Sequence, residues 1–168
     1  MAMILAVDDE VPILELIKNG LQKDGHVVAA YASADQVPFD KLNRYDLIIL
    51  DVMMPGMDGF AVLEEMNRNH WIEDIPVIMI SSEDKVDAMR RAFDLGASDY
   101  ISRPFDARVV CQRIGNTMRL YAKQRRLCAA VEKQIREADQ NSRIMLALLN
   151  RVMEKRNGES RNHVRRIQ

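Results

Sequence analysis

The stretch Tyr45-Asp46-Leu47-Ile48-Ile49-Leu50-Asp51-Val52-Met53-Met54-Pro55-Gly56-Met57-Asp58-Gly59 decides the fold. A nearly continuous apolar run, Leu47 to Leu50, stops at one carboxylate, Asp51, and turn residues follow at Pro55, Gly56, Asp58 and Gly59. A short apolar run bounded by turn formers reads as a strand buried on both faces. An acid at the carboxyl end of such a strand lies where open α/β sheets bind their ligands. Taken alone, Asp51 could equally be a helix N-cap or a surface aspartate, so the other strand ends must decide.

Working outward, Met3 to Val7 is a second unbroken apolar run, and it ends in Asp8-Asp9-Glu10. From Pro12 the apolar residues Ile13, Leu14, Leu16, Ile17 and Leu21 take helical spacing, with Pro12 in the first turn and Gly25 placed to end the helix. A strand over 26–31 follows, and then a short helix capped by Ser33 that Pro38 marks as irregular. Asp58 to Asn69 reads as a helix with Phe60, Val62, Leu63 and Met66 turned inward. Ile75 to Ile80 reads as the fourth strand, with Pro76 tolerated at its start and Ser81-Ser82 at its end. A helix from Asp84 to Leu95 stops at Gly96, the expected left-handed residue after a helix. Asp99 to Ser102 forms the fifth strand, before Arg103-Pro104-Phe105. Strands alternating with helices predict right-handed parallel crossovers, hence an α/β fold: a doubly wound five-stranded parallel sheet over residues 1–120.

After Pro104 the chain changes character. Two seven-residue rows run through it: Ile114, Tyr121, Cys128, Ile135, Ser142, Leu149, and Thr117, Gln124, Val131, Ala138, Met145, Val152. Charged residues flank them, so residues 106–156 are expected to form one long helix, continuous with the last helix of the sheet domain, that pairs as a coiled coil. Such a helix would be about 75 Å long at 1.5 Å per residue. A homodimer through this helix is therefore expected. From Ile144 to Met153 the apolar face widens, as if it met more than one helix.

Composition narrows the function. With 24 basic and 25 acidic residues the formal net charge is -1, which gives no general attraction to nucleic acid or anionic membrane. The arginines of the carboxyl end read as a solvated face, so no nucleic-acid partner is expected. No apolar stretch reaches the roughly 20 residues that span a bilayer, and no basic segment precedes the first strand. Two cysteines, Cys111 and Cys128, have neither zinc nor CxxC spacing. A cytoplasmic protein without a membrane partner is expected.

In a parallel sheet all strand carboxyl ends share one edge, which gathers Asp8, Asp9, Asp51, Ser81, Ser82 and Arg103. Converging carboxylates raise one another's pKa, and a hard divalent cation such as Mg2+ offsets that repulsion. A hydroxyl and a guanidinium facing the same point supply donors for an oxyanion, so the set suits phosphorylation of an aspartate. Residue by residue, blander readings exist. The serines could cap the following helix, Tyr100 could be a half-buried strand aromatic, and Met53, Met54 and Met57 read as loop packing. Trp71 reads as a cover for the helical layer where strand four begins.

These motifs together resemble the response-regulator receiver domain of two-component signalling, over residues 3 to about 120, with a flavodoxin-like sheet. The carriers are Asp8-Asp9 after strand one, Asp51 within Leu50 to Gly59, Ser81, Tyr100, and a cation before Pro104-Phe105. The resemblance implies that Asp51 accepts a phosphoryl group from a sensor histidine kinase. It implies Mg2+ held by Asp9, Asp51 and the backbone carbonyl of Met53, with Asp8 assisting through water. Ser81 would bond the phosphoryl group, and Ser81 and Tyr100 would form the switch. Arg103 stands where the family carries lysine. A planar fork is not a point charge, so a second expectation is a non-switching receiver that serves only dimerisation or protein interaction. A phosphatase with an aspartate nucleophile usually needs Asp-x-Asp, which Asp51-Val52-Met53 lacks. Residues 157–168, with the stretch just before them, resemble the start of an HD-GYP domain, a metal-dependent phosphodiesterase of cyclic di-GMP. Glu159 and His163 match two of its metal ligands at helical spacing, and the rest of that site is not in this chain.

Overall fold

The computed structural model describes the backbone of residues 1–82 and 85–165, and side chains as far as residue 153 with the same gap. Five strands, β1 (Met3–Val7), β2 (Val27–Tyr31), β3 (Leu47–Asp51), β4 (Val77–Ser81) and β5 (Asp99–Ser102), form one parallel sheet in the order β2-β1-β3-β4-β5. The helices are α1 (Val11–Lys23), α2 (Gly59–Arg68), α3 (Val86–Asp94) and α4 (Ala107–Arg165).

Alternation along the strands divides the core in two. Leu5, Val7, Ile48, Leu50, Val77, Met79 and Tyr100 pack on one face with α2 and α3 residues such as Leu63, Met66 and Ala92. Ile4, Ala6, Leu47, Ile49, Ile78, Ile80 and Ile101 pack on the other with Leu14 and Ile17 of α1 and Val110 and Ile114 of α4. Central β3 and β4 are buried throughout, which is why their sequences are apolar runs. This is the doubly wound arrangement that the alternation of elements predicts.

Between β2 and β3 the expected helix is reduced to two short 3-10 turns, Ala34–Gln36 and Phe39–Arg44, separated by Pro38. Ser33 holds the cap position but makes no capping hydrogen bond, a correction to its expected role. A 3-10 turn of three residues offers its cap few unpaired amides. Asp58 does cap α2, accepting a hydrogen bond from the Ala61 N–H at 2.7 Å. Gly25 and Gly96 follow α1 and α3 with φ of 81° and 96°, as helix-ending glycines should. Asp84, the expected start of α3, lies outside the described residues; α3 begins at Val86. Trp71 sits in a 3-10 turn before β4 and stacks on Phe39, ring centroids 6.4 Å apart.

The contacts divide the chain into Met1–Tyr121 and a second unit from Ala122 onward. The backbone of α4 is continuous across this boundary. Its first turns belong to the sheet domain: Ile114 is completely buried there, and the Tyr121 hydroxyl lies 2.9 Å from Ser98 Oγ. Two expected seam positions are thus already used inside the domain, and a free apolar seam can begin only near Cys128. In the second unit every described side chain is exposed, including Leu127, Val131, Ile135, Met145, Leu149 and Val152. The helical backbone also passes the expected end near Arg156 and runs through Gly158 to Arg165. A single glycine costs a helix interior only about 1 kcal/mol, so it need not end one. No helix among the described residues is long and apolar enough to cross a membrane.

Candidate functional site

Parallel pairing brings the carboxyl ends of β1, β3, β4 and β5 to one edge. Asp8 follows β1, Asp51 is the last residue of β3 and Ser81 the last of β4. All three are buried: Asp8 is 2% exposed, Asp51 1% and Ser81 0%. Asp9 is exposed at the rim, and Asp8, Asp9 and Asp51 each present a carboxylate oxygen within 4.8 Å of the others.

The loop after β3 is held close to this edge. The Val52 N–H donates to the Ile80 carbonyl at 2.9 Å, and the Gly59 N–H donates back to the Val52 carbonyl at 3.1 Å. A Cβ on Gly59 would collide with the carbonyl of Asp51, so the final glycine of the opening stretch lets α2 begin directly against the acid. Within this loop Met54 is buried but Met53 is 59% exposed, so loop packing accounts for only one of that pair.

Arg103 converges on the same point. Its backbone N–H donates to the Ser81 carbonyl at 2.7 Å, continuing the β4–β5 ladder past the strand end. Its guanidinium Nη2 donates to Asp8 Oδ2 and, at 3.2 Å, to Asp51 Oδ1, while Nη1 donates to Glu10 Oε1 at 2.5 Å. The carboxylates therefore have a compensating cation, the guanidinium expected at this edge. One charge against four acids leaves an excess that a divalent cation can offset. Two buried atoms at the site have no hydrogen-bond partner among the described residues: Asp51 Oδ2 and Arg103 Nε. A buried unsatisfied carboxylate oxygen is costly, and this one belongs to the acid trio. The donor set, all hard oxygens from carboxylates with room for water at Asp9, fits Mg2+.

Electrostatics follow from the burial. Loss of hydration pushes Asp51 up to about 6, helped by the charges of Asp8 and Asp9 and opposed by Arg103. Asp8 is also raised, first by burial, against the Glu10 N–H and Arg103 that favour its charged form.

Tyr100 points into the core face shared with Ala92 and Ala97 and is 4% exposed, more deeply buried than a half-buried strand aromatic. Ser81 is buried at the end of β4, and the cap position of α3 is Lys85. Glu159 and His163 lie outside the residues whose side chains are described. The residue that sequence reasoning missed is Glu10. It was visible as the third acid after β1, but nothing in its spacing shows that an arginine 93 positions later reaches it.

Comparison with known proteins agrees with this geometry. Residues 4–115 match the family described as the response regulator receiver domain. The transcriptional regulatory protein SpaR of Bacillus subtilis is 38% identical over 119 residues, covering 71% of this chain and 53% of the relative. The chain thus spans about half the length of that curated relative. Among solved structures, NtrX from Brucella abortus in complex with ADP is 31% identical with a TM-score of 0.67, covering 75% of this chain and 29% of that one. A CheY-like receiver domain protein from Methanospirillum hungatei is 25% identical with a TM-score of 0.67, covering 74% and 98%. With the acid trio, the parallel sheet and the family match falling on the same residues, the chain belongs to the response regulator receiver domain family of two-component signalling.

Proposed function

We propose that this receiver accepts a phosphoryl group on Asp51 from a phosphohistidine of a sensor histidine kinase. The observation that carries the reading is the buried Asp51 at the end of β3. One of its oxygens has no partner among the described residues, and two further carboxylates and a guanidinium surround it. A carboxylate oxygen of Asp51 attacks phosphorus as the donor N–P bond breaks, and that bond's electron pair stays on the imidazole. With a pKa of about 6, Asp51 is mainly anionic at neutral pH and so competent as a nucleophile. Asp9, Asp51 and the Met53 carbonyl would hold Mg2+ directly, and Asp8 through water. The bound ion would supply positive charge to the phosphoryl oxygens. Ser81 would donate its hydroxyl to a phosphoryl oxygen, and Arg103 a guanidinium N–H.

Phosphorylation then biases Ser81, Tyr100 and α3, a two-state element that the charge change at Asp51 favours in one form. Output passes along α4, which pairs with a second copy from about Cys128 onward. The exposed apolar row Val131, Ile135, Met145, Leu149 and Val152 supports this pairing. Residues 157–168 are read as the opening of an HD-GYP phosphodiesterase domain, on the resemblance of the sequence from Met145 onward and the spacing of Glu159 and His163.

Acetyl phosphate with Mg2+, followed by intact-mass measurement, tests the reading: wild type gains one phosphoryl group and Asp51→Asn gains none. Labelling that persists in Asp51→Asn sinks it. Because Arg103 already binds three carboxylates, a second reading keeps the module in one state as a dimerisation unit. Sedimentation and α4 geometry unchanged by beryllofluoride would favour that one.

A further inference from the structure

The two oxygens of Asp51 are in different situations. Oδ2 has no partner among the described residues, whereas Oδ1 is capped by Arg103 Nη2 at 3.2 Å. The same Nη2 bonds Asp8, and the other prong, Nη1, reaches Glu10 Oε1 at 2.5 Å. The three acceptors differ in exposure: the side chains of Asp8 and Asp51 are 3% and 1% exposed, and Glu10 is 58% exposed. Arg103 therefore lies across the mouth of the acid pocket, 12% exposed, with one end inside and one end at the surface.

We propose that Arg103 and Glu10 form a latch over Asp51. It leaves Oδ2 open to a cation, and it must release Oδ1 before a phosphoryl group can be seated there. This rests on Asp51 being the phosphoryl acceptor and adds Glu10 as a positioning residue that acts only through Arg103.

Three observations support the latch. Phosphorus must come within bonding distance of the attacking oxygen, and a guanidinium nitrogen at 3.2 Å from Oδ1 stands in that approach. The base of the Glu10 side chain is fixed. Its carbonyl accepts the first amides of α1, from Ile13 and Leu14, and its N–H donates to Asp8 Oδ1 at 2.9 Å. The closed position also leaves Arg103 Nε buried without a partner among the described residues, so the guanidinium is held there by its two prongs. A lysine could not do this. One ammonium is a point charge on a flexible stem, whereas the planar fork bonds an inner acid and an outer acid at once.

The test is the rate at which the full chain forms its complex with beryllofluoride, a phosphoryl analogue, in saturating Mg2+. It is read by NMR together with the Arg103 Nε–H resonance, which reports the guanidinium directly. Glu10→Gln should load several-fold faster than wild type, and Arg103→Lys faster still. Adding Glu10→Gln to Arg103→Lys should change nothing further. The Nε–H signal should move with loading, and should already be broadened or shifted in unloaded Glu10→Gln.

Equal rates in wild type, Glu10→Gln and Arg103→Lys would overturn the latch and leave the acceptor role of Asp51 intact. An equal acceleration by Glu10→Gln in both backgrounds would also overturn it, by showing that only the net charge of the mouth matters. No loading in any variant would overturn the latch and the acceptor role together.

Discussion

Replacing Asp51 with asparagine should stabilise the metal-free protein at neutral pH and leave it nearly unchanged in acid. Asp51 moves from its ordinary value of 3.8 to about 6 on folding, chiefly through loss of hydration. For an acid whose folded value is raised, the folded state binds the proton more tightly than the unfolded chain. Stability from this group is therefore complete below about pH 4 and is lost as pH rises toward and through 6. A shift of about two units at about 1.4 kcal/mol each puts the loss near 3 kcal/mol at neutral pH. The value of about 6 already includes the opposing attraction of Arg103, which keeps Asp8 and Glu10 when Asp51 is replaced. Allowing for relaxation and water penetration around the buried carboxylate, the net gain is about 1–2 kcal/mol. In a chain of this size this corresponds to a rise in Tm of roughly 3–6 °C. Urea titrations of wild type and Asp51→Asn in EDTA, from about pH 4 to pH 8, measure it. The gap between the two curves should open as pH rises and close to within about 0.5 kcal/mol at the acid end. A gap that is absent, or constant across that range, would refute the claim that a buried ionised Asp51 burdens the resting fold.

The same site gives a ligand prediction. Mg2+ at about ten times its dissociation constant should add ~1.4 kcal/mol to wild-type stability, and Asp51→Asn should lose most of that increment in the same thermal melts. Gly59→Ala should destabilise by roughly 2–3 kcal/mol, since the new methyl meets the Asp51 carbonyl and backbone must move; a variant within error of wild type in urea would contradict the packing. Ile114→Ala should cost about 2–5 kcal/mol as a core truncation, whereas Ile135→Ala, exposed on the second unit, should leave the unfolding of the sheet domain unchanged and weaken self-association in sedimentation. Equal effects of the two on domain stability would show that the boundary between sheet core and helix seam is misplaced.

The sheet could be read from the sequence because burial on both faces leaves one signature, an apolar run ending in a polar residue. Leu47 to Asp51 and Val77 to Ser81 carry it without ambiguity. The acids and the serine were legible for the same reason: they are the polar residues that end those runs. What was not legible depends on distance in space. Glu10 and Arg103 are 93 positions apart, and their bond follows from the β4–β5 register, which sets the Arg103 backbone against Ser81. The heptad reading failed at its first step for a related reason. Ile114 has the spacing of a seam residue and of a helix packed on a sheet, because both draw on the same helical period. Only the location of β5 and Ile101 decides that it faces the sheet. The stretch between β2 and β3 carries Pro38 but no strong period, and the short 3-10 turns there follow.

Strand β5 ties the site to the start of α4 within the sheet domain. At its carboxyl end the chain continues into Arg103, which spans the acid pocket. Along its length it holds the start of α4 by polar contacts as well as by packing. Arg113 donates to the Tyr100 carbonyl at 3.1 Å and lies 3.5 Å from Asp99, and just before the strand Ser98 meets Tyr121 at 2.9 Å. Val110 and Ile114 share a core with Ile101 of the same strand. β5 is the edge strand of the sheet, paired only with β4, but its two central residues are buried and α4 is docked along it, so displacement at one end can be passed on to what is docked there. Arg103, which in the proposed latch leaves Asp51, and the start of α4 are therefore both borne by one four-residue strand. A bulky arginine at the end of that strand makes structural sense. Asp8, Glu10 and Asp51 hold it at the strand end, and under the proposed latch each bond released would loosen the support on which the start of α4 is seated.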